Sequence, residues 1–304
     1  MRFVPFCHKK VIKQSNARHK KGVIYKAEYL SCLEDVTLIE LKSICGSCGV
    51  GEIRDVSFRL PNGKIYGVFS PRYEDAICLL ALMAGARTPT GGAVLVGGFD
   101  LHREAKQARK TIAYLPPRLL PDEELTPIEY LMSVADMYEL SYDKTLRRVY
   151  ELLELADLAD KKERLIAHLS YGEKRILCML QLLLGKPETL ILSSPFSGIL
   201  PKNMQKVRSL IQYLGEGRTV FLCTPNAKDL CEICEDLLVL ENGTLKMIAP
   251  IGDSNLQEAL NAPMKEAPAP EAPAQKSKST RWRMLMQGSG DYEVIDTDGK
   301  EDKK

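Results

Sequence analysis

Short, wholly apolar runs alternate with longer amphipathic segments over most of the chain. Runs such as 189–192 and 237–240 predict buried strands, whereas apolar residues at helical spacing between such runs predict helices. Strands without an exposed face are typical of a parallel sheet that helices cover on both sides. The pattern therefore predicts an α/β domain with a parallel-sheet core.

The part that precedes this alternation has a different pattern. Apolar runs at 38–41, 53–60 and 64–69, with a Pro-Asn-Gly turn at 61–63, predict a hairpin-rich antiparallel opening. The run at 64–69 leads through a tight segment into an apolar helix at 76–85, and a short strand is predicted at 93–96. An antiparallel β subdomain is therefore expected beside the parallel sheet.

Capping residues mark the starts of two predicted helices. Thr126, Pro127 and Glu129 supply an N-cap, a proline at the first helical position and a glutamate at the third, for a helix through 138. Ser170 is a good N-cap for a helix that ends near 184. The remaining elements are predicted as helices from about 141, at 202–214 and at 227–235, a strand at 218–223 and a tight hairpin turn at 242–243.

Composition shifts divide the chain into four regions. Residues 1–35 form a basic extension, because eight Lys and Arg residues and no acidic residue lie in the first 26 positions. This extension is either a solvated tail or a segment that contacts an anionic membrane surface. Residues 36–260 form the α/β domain, with a helical subdomain at about 115–170; residues 261–280 form a Pro/Ala-rich linker, and 281–304 a short hairpin with a charged tail.

The overall composition excludes several classes of protein. Of the 304 residues, 42 Lys and Arg offset 40 Asp and Glu, a balance that gives no basis for nucleic-acid binding. No apolar run reaches the roughly 18–20 residues of a membrane span, and no signal-peptide core precedes Lys9. Nine cysteines, several of them in apolar runs, indicate a reducing compartment. A cytoplasmic location is expected.

Several motifs follow one another in a recognisable order. The strand, loop and helix over 64–85 have the layout of a phosphate-binding loop. LSYGEKR at 169–175 precedes a helix, LILSS at 190–194 ends a strand, and SG follows at 197–198. In this order the motifs resemble the Walker A, signature, Walker B and D-loop segments of the nucleotide-binding domain of ATP-binding cassette (ABC) transporters. The resemblance covers 39–247 and implies an ABC ATPase-like P-loop fold with an antiparallel β subdomain, a parallel-sheet core and an α-helical subdomain.

The residues at the Walker A positions lack the chemistry that the resemblance implies. The degenerate segment comprises Gly67, Ser70, Pro71, Arg72, Glu74, Ala76 and Ile77. Ala76 and Ile77 stand where the family has the phosphate-binding Lys and the Mg²⁺-binding Thr, and Tyr73 and Asp75 replace loop glycines. Glu74 and Asp75 are expected to satisfy the free N–H groups of the helix N-terminus and to repel a triphosphate. The segment is therefore interpreted as a self-capped structural helix.

The other catalytic positions are replaced as well. The Walker B Asp and Glu correspond to Ser193 and Ser194, the Q-loop Gln to Pro117 and the switch His to Pro225. Serine supplies neither the acidic Mg²⁺ ligand nor the base, and the side chain of proline makes no hydrogen bond. These replacements indicate a pseudoenzyme without catalytic residues.

The signature motif is retained in part. Ser170 and Gly172 remain, while Tyr171 and Glu173 replace the usual Gly and Gln. In the family this segment contacts the γ-phosphate that the opposite subunit holds. Two interpretations stay open: Ser170 completes the ATP site of a partner subunit, or the segment is an ordinary capped helix.

Two Cys-x-x-Cys pairs have a spacing seen in four-thiolate zinc sites. Cys231 and Cys234 fall in a predicted helix, with Cys234 expected in the core, so we interpret that pair as structural. Cys45 and Cys48 fall in a predicted Gly-containing loop and are weak candidates for metal ligands. No other metal site is expected.

The sequence favours a catalytically inactive ABC transporter subunit that pairs with an active ABC ATPase subunit and docks on a membrane permease, at the inner face of the membrane. No cofactor is expected, and ATP and Mg²⁺ would enter only through the partner subunit. The alternative is a soluble adaptor or scaffold that retains the ABC fold without a transport role. A third possibility is an ATPase that uses replacement residues. It requires measurable ATP hydrolysis that is abolished when Arg72 or Glu74 is changed.

Overall fold

The computed structural model describes residues 38–49, 51–254, 256 and 260. All of them belong to the first of the two units into which the chain divides, 1–267 and 268–304. The predicted basic extension at 1–35, linker at 261–280 and C-terminal hairpin at 281–304 lie outside the described residues. Within the described part of the chain, no helix is long and apolar enough to span a bilayer.

The described residues form strands and helices in the following order. The strands are β1 (Leu38–Cys48), β2 (Gly51–Pro61), β3 (Ile65–Phe69), β4 (Gly91–Val96), β5 (Phe99–Asp100), β6 (Ile112–Leu115), β7 (Thr189–Ser193), β8 (Thr219–Cys223), β9 (Asp236–Glu241) and β10 (Thr244–Pro250). The α-helices are α1 (Tyr73–Met83), α2 (Ala105–Ala108), α3 (Pro127–Met137), α4 (Tyr142–Leu155), α5 (Tyr171–Gln181), α6 (Met204–Gly215) and α7 (Ala227–Ile233). Short 3₁₀ helices lie at Ala159–Lys161, Ile166–His168 and Pro201–Asn203.

A six-stranded, mostly parallel sheet forms the centre of the fold. Its order is β10-β9-β3-β8-β7-β6; β9, β3, β8, β7 and β6 run parallel, and β10 pairs antiparallel with β9. Every residue of β3, β7 and β8 is buried, as their largely apolar sequences predict. The predicted parallel-sheet core is confirmed, as is the tight β9–β10 hairpin, where Asn242 and Gly243 have φ of 51° and 78°.

A four-stranded antiparallel sheet, in the order β2-β1-β4-β5, forms a second layer. The prediction that the turn at 61–63 closes a hairpin is wrong, because β2 ends in this sheet while β3 lies between β9 and β8 in the other one. The physical reason is the burial pattern: β2 alternates buried and exposed residues, whereas β3 is buried on both faces and needs cover on both. Gly63 instead donates its N–H to Thr219 Oγ1 at 2.9 Å, beside β8.

Two apolar cores lie on opposite sides of the parallel sheet. One contains residues of β1, β2 and α1, including the fully buried Ile44, Val56 and Leu79. The other contains residues of α3, α4 and α5, including the fully buried Leu131 and Leu177. The predicted cover on both faces of the parallel sheet is therefore confirmed. Because α1 follows β3, the start of this helix lies at the carboxyl edge of the sheet.

The capping box at the start of α3 forms as predicted. Thr126 Oγ1 accepts the Glu129 N–H at 3.3 Å, while the Glu129 carboxylate accepts the Thr126 N–H at 2.8 Å. The two donors and the proline at the first helical position fix the start of this helix. Helices α3 and α4 fall within 115–170, the range predicted for a helical subdomain.

Candidate functional site

Residues 70–77, which occupy the predicted Walker A positions and are called the phosphate segment below, lie at the carboxyl edge of the parallel sheet, between β3 and α1. Ser70 and Pro71 follow the strand, and the helix begins at Tyr73, three residues before its predicted start at Ala76. Ser70 and Ala76 are buried, and Ile77 is partly buried. The segment is therefore a short connection rather than an open loop, since residues 73–75 are already helical.

Tyr73 joins α1 to the ends of two central strands. Its hydroxyl lies 2.5 Å from Ser194 Oγ, directly after β7, and it donates to the carbonyl oxygen of Cys223, the last residue of β8, at 3.5 Å. Burial raises the pKa of Tyr73 well above its ordinary value and that of the Cys223 thiol to about 11, so both groups are neutral. The phenol ring therefore occupies the space between the helix and the strand ends.

Asp75 is buried in the first turn of α1 but does not cap this helix. Its Oδ1 accepts the backbone N–H of Glu52 in β2 at 2.9 Å and lies 3.9 Å from Arg72 Nε. Its Oδ2 is buried without a hydrogen-bond partner. The expectation of a self-capped helix is wrong for Asp75, because β2 approaches the first turn of the helix and supplies the donor.

Gly51 allows this close approach of β2. A Cβ atom at Gly51 would lie 2.2 Å from the backbone oxygen of Glu74 and 2.9 Å from the Cβ of Cys78, both in α1. Only a residue without a side chain fits at that distance from backbone atoms. The start of α1 is thus covered by the backbone of the antiparallel sheet.

The bend after β7 is held by a buried arginine. Arg175 of α5 is fully buried and donates to the carbonyl oxygens of Ser193 at 2.6 Å, Leu119 at 3.2 Å and Ser194 at 3.4 Å. Ser193 is also fully buried, and Ser194 adopts a φ of 53°. Arg175 therefore ties the Walker B position to the signature helix and to the segment after β6.

The signature segment forms a capping box at the start of α5. Ser170 Oγ accepts the Glu173 N–H at 3.3 Å, and the Glu173 carboxylate accepts the N–H and the hydroxyl of Ser170, each at 2.9 Å. Burial opposes ionisation of Glu173, but the ammonium of Lys161 and the two Ser170 donors outweigh it and lower the pKa of this carboxyl. An ionised carboxylate is therefore fixed at this helix end.

Tyr171 and Gly172 pack against the segment that follows β7. A Cβ atom at Gly198 would lie 2.0 Å from Cδ1 of Tyr171, so this ring rests on the glycine, whose φ is 71°. A Cβ atom at Gly172 would lie 3.0 Å from the Gly198 carbonyl oxygen. The signature and D-loop segments are thus in direct contact within this chain.

Three other predicted site residues lie apart from the Tyr73 contact. Gly67 is in the middle of β3, where a Cβ atom would lie 2.2 Å from Cδ2 of Leu237. The lack of a side chain at Gly67 therefore allows Leu237 to pack against β3. Pro117 follows β6, and Pro225 is exposed after β8. Neither proline brings a polar side chain to this edge.

The two cysteine pairs have separate surroundings. Cys234 directly follows α7 and is buried, so its predicted place in the core is confirmed. The prediction of a loop at Cys45 and Cys48 is wrong, because both lie in β1; Cys45 Sγ accepts the N–H of Asp55 at 3.3 Å. Across the described residues, no group of three or more His, Cys, Asp or Glu side chains is placed to hold a metal ion.

Sequence analysis missed three residues that shape this site: Gly51, Arg175 and Cys223. Gly51 precedes the predicted strand at 53–60, Arg175 ends the signature segment and Cys223 ends a predicted strand, and none of these positions indicates the contact that its residue makes. For the contact between Tyr73 and Ser194, the sequence did hold one signal, side-chain volume. Tyr73 is large where a glycine is expected, while Ser193 and Ser194 are smaller than the carboxylates they replace. Such compensation indicates that the positions touch.

The mostly parallel sheet, the antiparallel sheet over α1, the helical subdomain and the segment between β3 and α1 define the ABC-type variant of the P-loop nucleotide-binding fold. Residues 53–197 match the family model described as ABC transporter. A solved structure titled as the ATP binding subunit of an ABC transporter is 25% identical with a TM-score of 0.63, and the match covers 74% of this chain and 95% of that one. The described residues therefore form an ABC-type nucleotide-binding domain.

Curated relatives are ATP-binding proteins. Linearmycin resistance ATP-binding protein LnrL of Bacillus subtilis (strain 168) is 26% identical over 194 residues, 64% of this chain and 62% of that protein. Nod factor export ATP-binding protein I of Rhizobium meliloti is 30% identical over 210 residues, 67% of this chain and 62% of that protein. The match therefore spans less than two thirds of the length of either relative.

Proposed function

We propose that this chain is a catalytically inactive ATP-binding-type subunit of an ABC transporter, which pairs with an intact ATPase subunit and docks on a membrane permease at the cytoplasmic face. The family relationship supports the transport-associated role, since ATP-binding subunits of ABC transporters work as dimers with a permease. The inactivity rests on one observation: Tyr73 lies across the phosphate segment and contacts Ser194 at 2.5 Å.

The space at this edge does not fit a nucleoside triphosphate. A phosphate group bound there needs glycine backbone that it can approach closely. Here the Tyr73 ring reaches the ends of β7 and β8, and the N–H of Glu52 is already paired with Asp75. A nucleotide would have to displace a side chain that makes two hydrogen bonds.

The charge at this helix end is also unfavourable. A helix N-terminus attracts phosphate through its free N–H groups and positive dipole end, but Glu74 and Asp75 lie in the first turn of α1. Two like charges about 4 Å apart repel by about 4 kcal/mol at an effective dielectric of about 20. Arg72, which lies 3.9 Å from Asp75, offsets only part of this repulsion.

The side chains at the end of β7 do not fit Mg²⁺ or a catalytic base. Mg²⁺ is held in such sites by a carboxylate together with phosphate oxygens, and water is activated by a second polar group. Ser193 and Ser194 offer hydroxyls only, and the Ser194 hydroxyl is already paired with Tyr73.

The signature segment supports a structural role over phosphate binding in trans. The Ser170 hydroxyl is engaged on both sides within its capping box, and the Glu173 carboxylate adds a negative charge at the start of α5. An anion approaching this helix end meets that negative charge, and the Glu173 N–H is already paired with Ser170 Oγ. Of the two interpretations of Ser170, we favour the capped helix.

Affinity purification from membranes of the source cells tests the transporter role. The tagged chain is expected to recover a polytopic permease and a second cassette with intact Walker motifs, whereas a tagged unrelated cytoplasmic protein recovers neither. Consistent absence of both would contradict the transporter role and favour the alternative, an adaptor that keeps the fold without transport. The identity of the recovered cassette also shows whether the partner carries the lysine and carboxylates that this chain lacks.

A further inference from the structure

Two replacements that remove family chemistry meet in one contact, beside the end of β8. Tyr73 stands for a loop glycine and Ser194 for the Walker B glutamate, while Cys223 ends β8 two residues before the switch position, Pro225. The hydroxyl of Tyr73 lies 2.5 Å from Ser194 Oγ and 3.5 Å from the Cys223 carbonyl oxygen. The large side chain of Tyr73 thus meets the small side chains of Ser194 and Cys223.

We infer that Tyr73 is an internal ligand, a side chain that takes the place of nucleotide and holds α1 against the ends of β7 and β8. The inference rests on the proposed function, because nucleotide binding at this site would require Tyr73 to leave. It adds that the domain keeps one arrangement of these three elements whether or not nucleotide is present. An intact cassette has no such side chain, since a glycine stands at this position.

Arg175 extends the contact from the phosphate segment to the signature helix. It donates to the carbonyl oxygens of Ser193 and Ser194, the bend that Tyr73 contacts, and it belongs to α5. At the start of α5, Tyr171 rests on Gly198, four residues after Ser194. The internal ligand therefore also holds the signature and D-loop segments in place.

Hydrogen–deuterium exchange of the full-length chain tests this inference. Tyr73→Phe and Ser194→Ala each remove one partner of the contact. Each is expected to raise exchange about 2- to 12-fold, the factor that corresponds to the loss of one hydrogen bond. The rise is expected in peptides covering 70–80, 170–178 and 190–198. Because both changes break the same bond, the double variant is expected to exchange no faster than the more affected single variant.

Tyr66→Phe is the matched control. Tyr66 is fully buried, and its hydroxyl donates to the Pro61 carbonyl oxygen at 2.7 Å, near the amino end of β3. This variant loses a buried tyrosine hydroxyl of the same kind, so it is expected to leave exchange of the three peptides at the wild-type rate.

The outcomes separate this inference from the proposed function. Wild-type exchange in Tyr73→Phe, or an equal rise in Tyr66→Phe, would overturn the internal ligand and leave the inactive subunit standing. Protection of peptide 70–80 in the wild-type chain by millimolar Mg-ATP would overturn both. Unchanged exchange with Mg-ATP, together with faster exchange in Tyr73→Phe and Ser194→Ala only, supports both.

Discussion

Tyr73→Ala is expected to lower the free energy of unfolding by about 3 kcal/mol. Removal of a large aromatic side chain from a packed site costs roughly 3–5 kcal/mol, and the partial exposure of Tyr73 places it at the lower end. The change also leaves the Cys223 carbonyl oxygen and Ser194 Oγ without their Tyr73 partner. The midpoint of urea denaturation, monitored by circular dichroism, measures the loss.

Tyr142→Ala is the control for this prediction. Tyr142 is 63% exposed at the start of α4, and a surface change of this kind is expected to alter stability by no more than about 0.5 kcal/mol. If Tyr73→Ala were as stable as Tyr142→Ala, Tyr73 would not fill the phosphate segment, and the structural basis for inactivity would fail.

Gly51→Ala is expected to destabilise the domain by about 2–3 kcal/mol. Its Cβ would lie 2.2 Å from the backbone oxygen of Glu74, and neither β2 nor the first turn of α1 yields without a backbone shift. Such a shift also stretches the hydrogen bond from the Glu52 N–H to Asp75, now 2.9 Å long. The same urea denaturation measures the effect.

Gly91→Ala is a matched control in the same antiparallel sheet. A Cβ at Gly91 meets only Cys45 Cβ, at 3.9 Å, an ordinary van der Waals distance. This variant is expected to remain near wild-type stability. Equal loss in both variants would indicate a general cost of alanine in these strands, and it would contradict the specific contact between β2 and the start of α1.

The sequence was sufficient for features that depend on local chemistry. The wholly apolar runs predicted the buried parallel strands, and the Thr126 and Glu129 pair predicted the capping box of α3. Motif order was sufficient for the fold class, because the segments that resemble the Walker, signature and D-loop motifs follow one another in the family's order even where their residues differ. The capped starts of α3 and α5 required no knowledge of tertiary contacts.

Features that depend on distant residues were missed or wrong. The turn at 61–63 has the sequence of a hairpin turn, but a turn sequence does not decide which sheet the next strand joins. That depends on which faces of the strand are covered, and β3 is covered on both. Asp75 looked like a helix cap because its partner, the Glu52 N–H, comes from another element. The contact between Tyr73 and Ser194 joins residues 121 positions apart, so no local pattern indicates it.

Calorimetric titration of the purified chain with Mg-ATP tests the inactivity most directly. Repulsion of about 4 kcal/mol from the acidic helix start corresponds to roughly a thousandfold loss of affinity, before the displacement of Tyr73 is counted. The predicted result is no saturable heat at nucleotide concentrations up to the millimolar range, with an intact ABC cassette as the positive control. Saturable binding with a micromolar Kd would contradict the proposal that this chain is an inactive subunit with a filled phosphate segment.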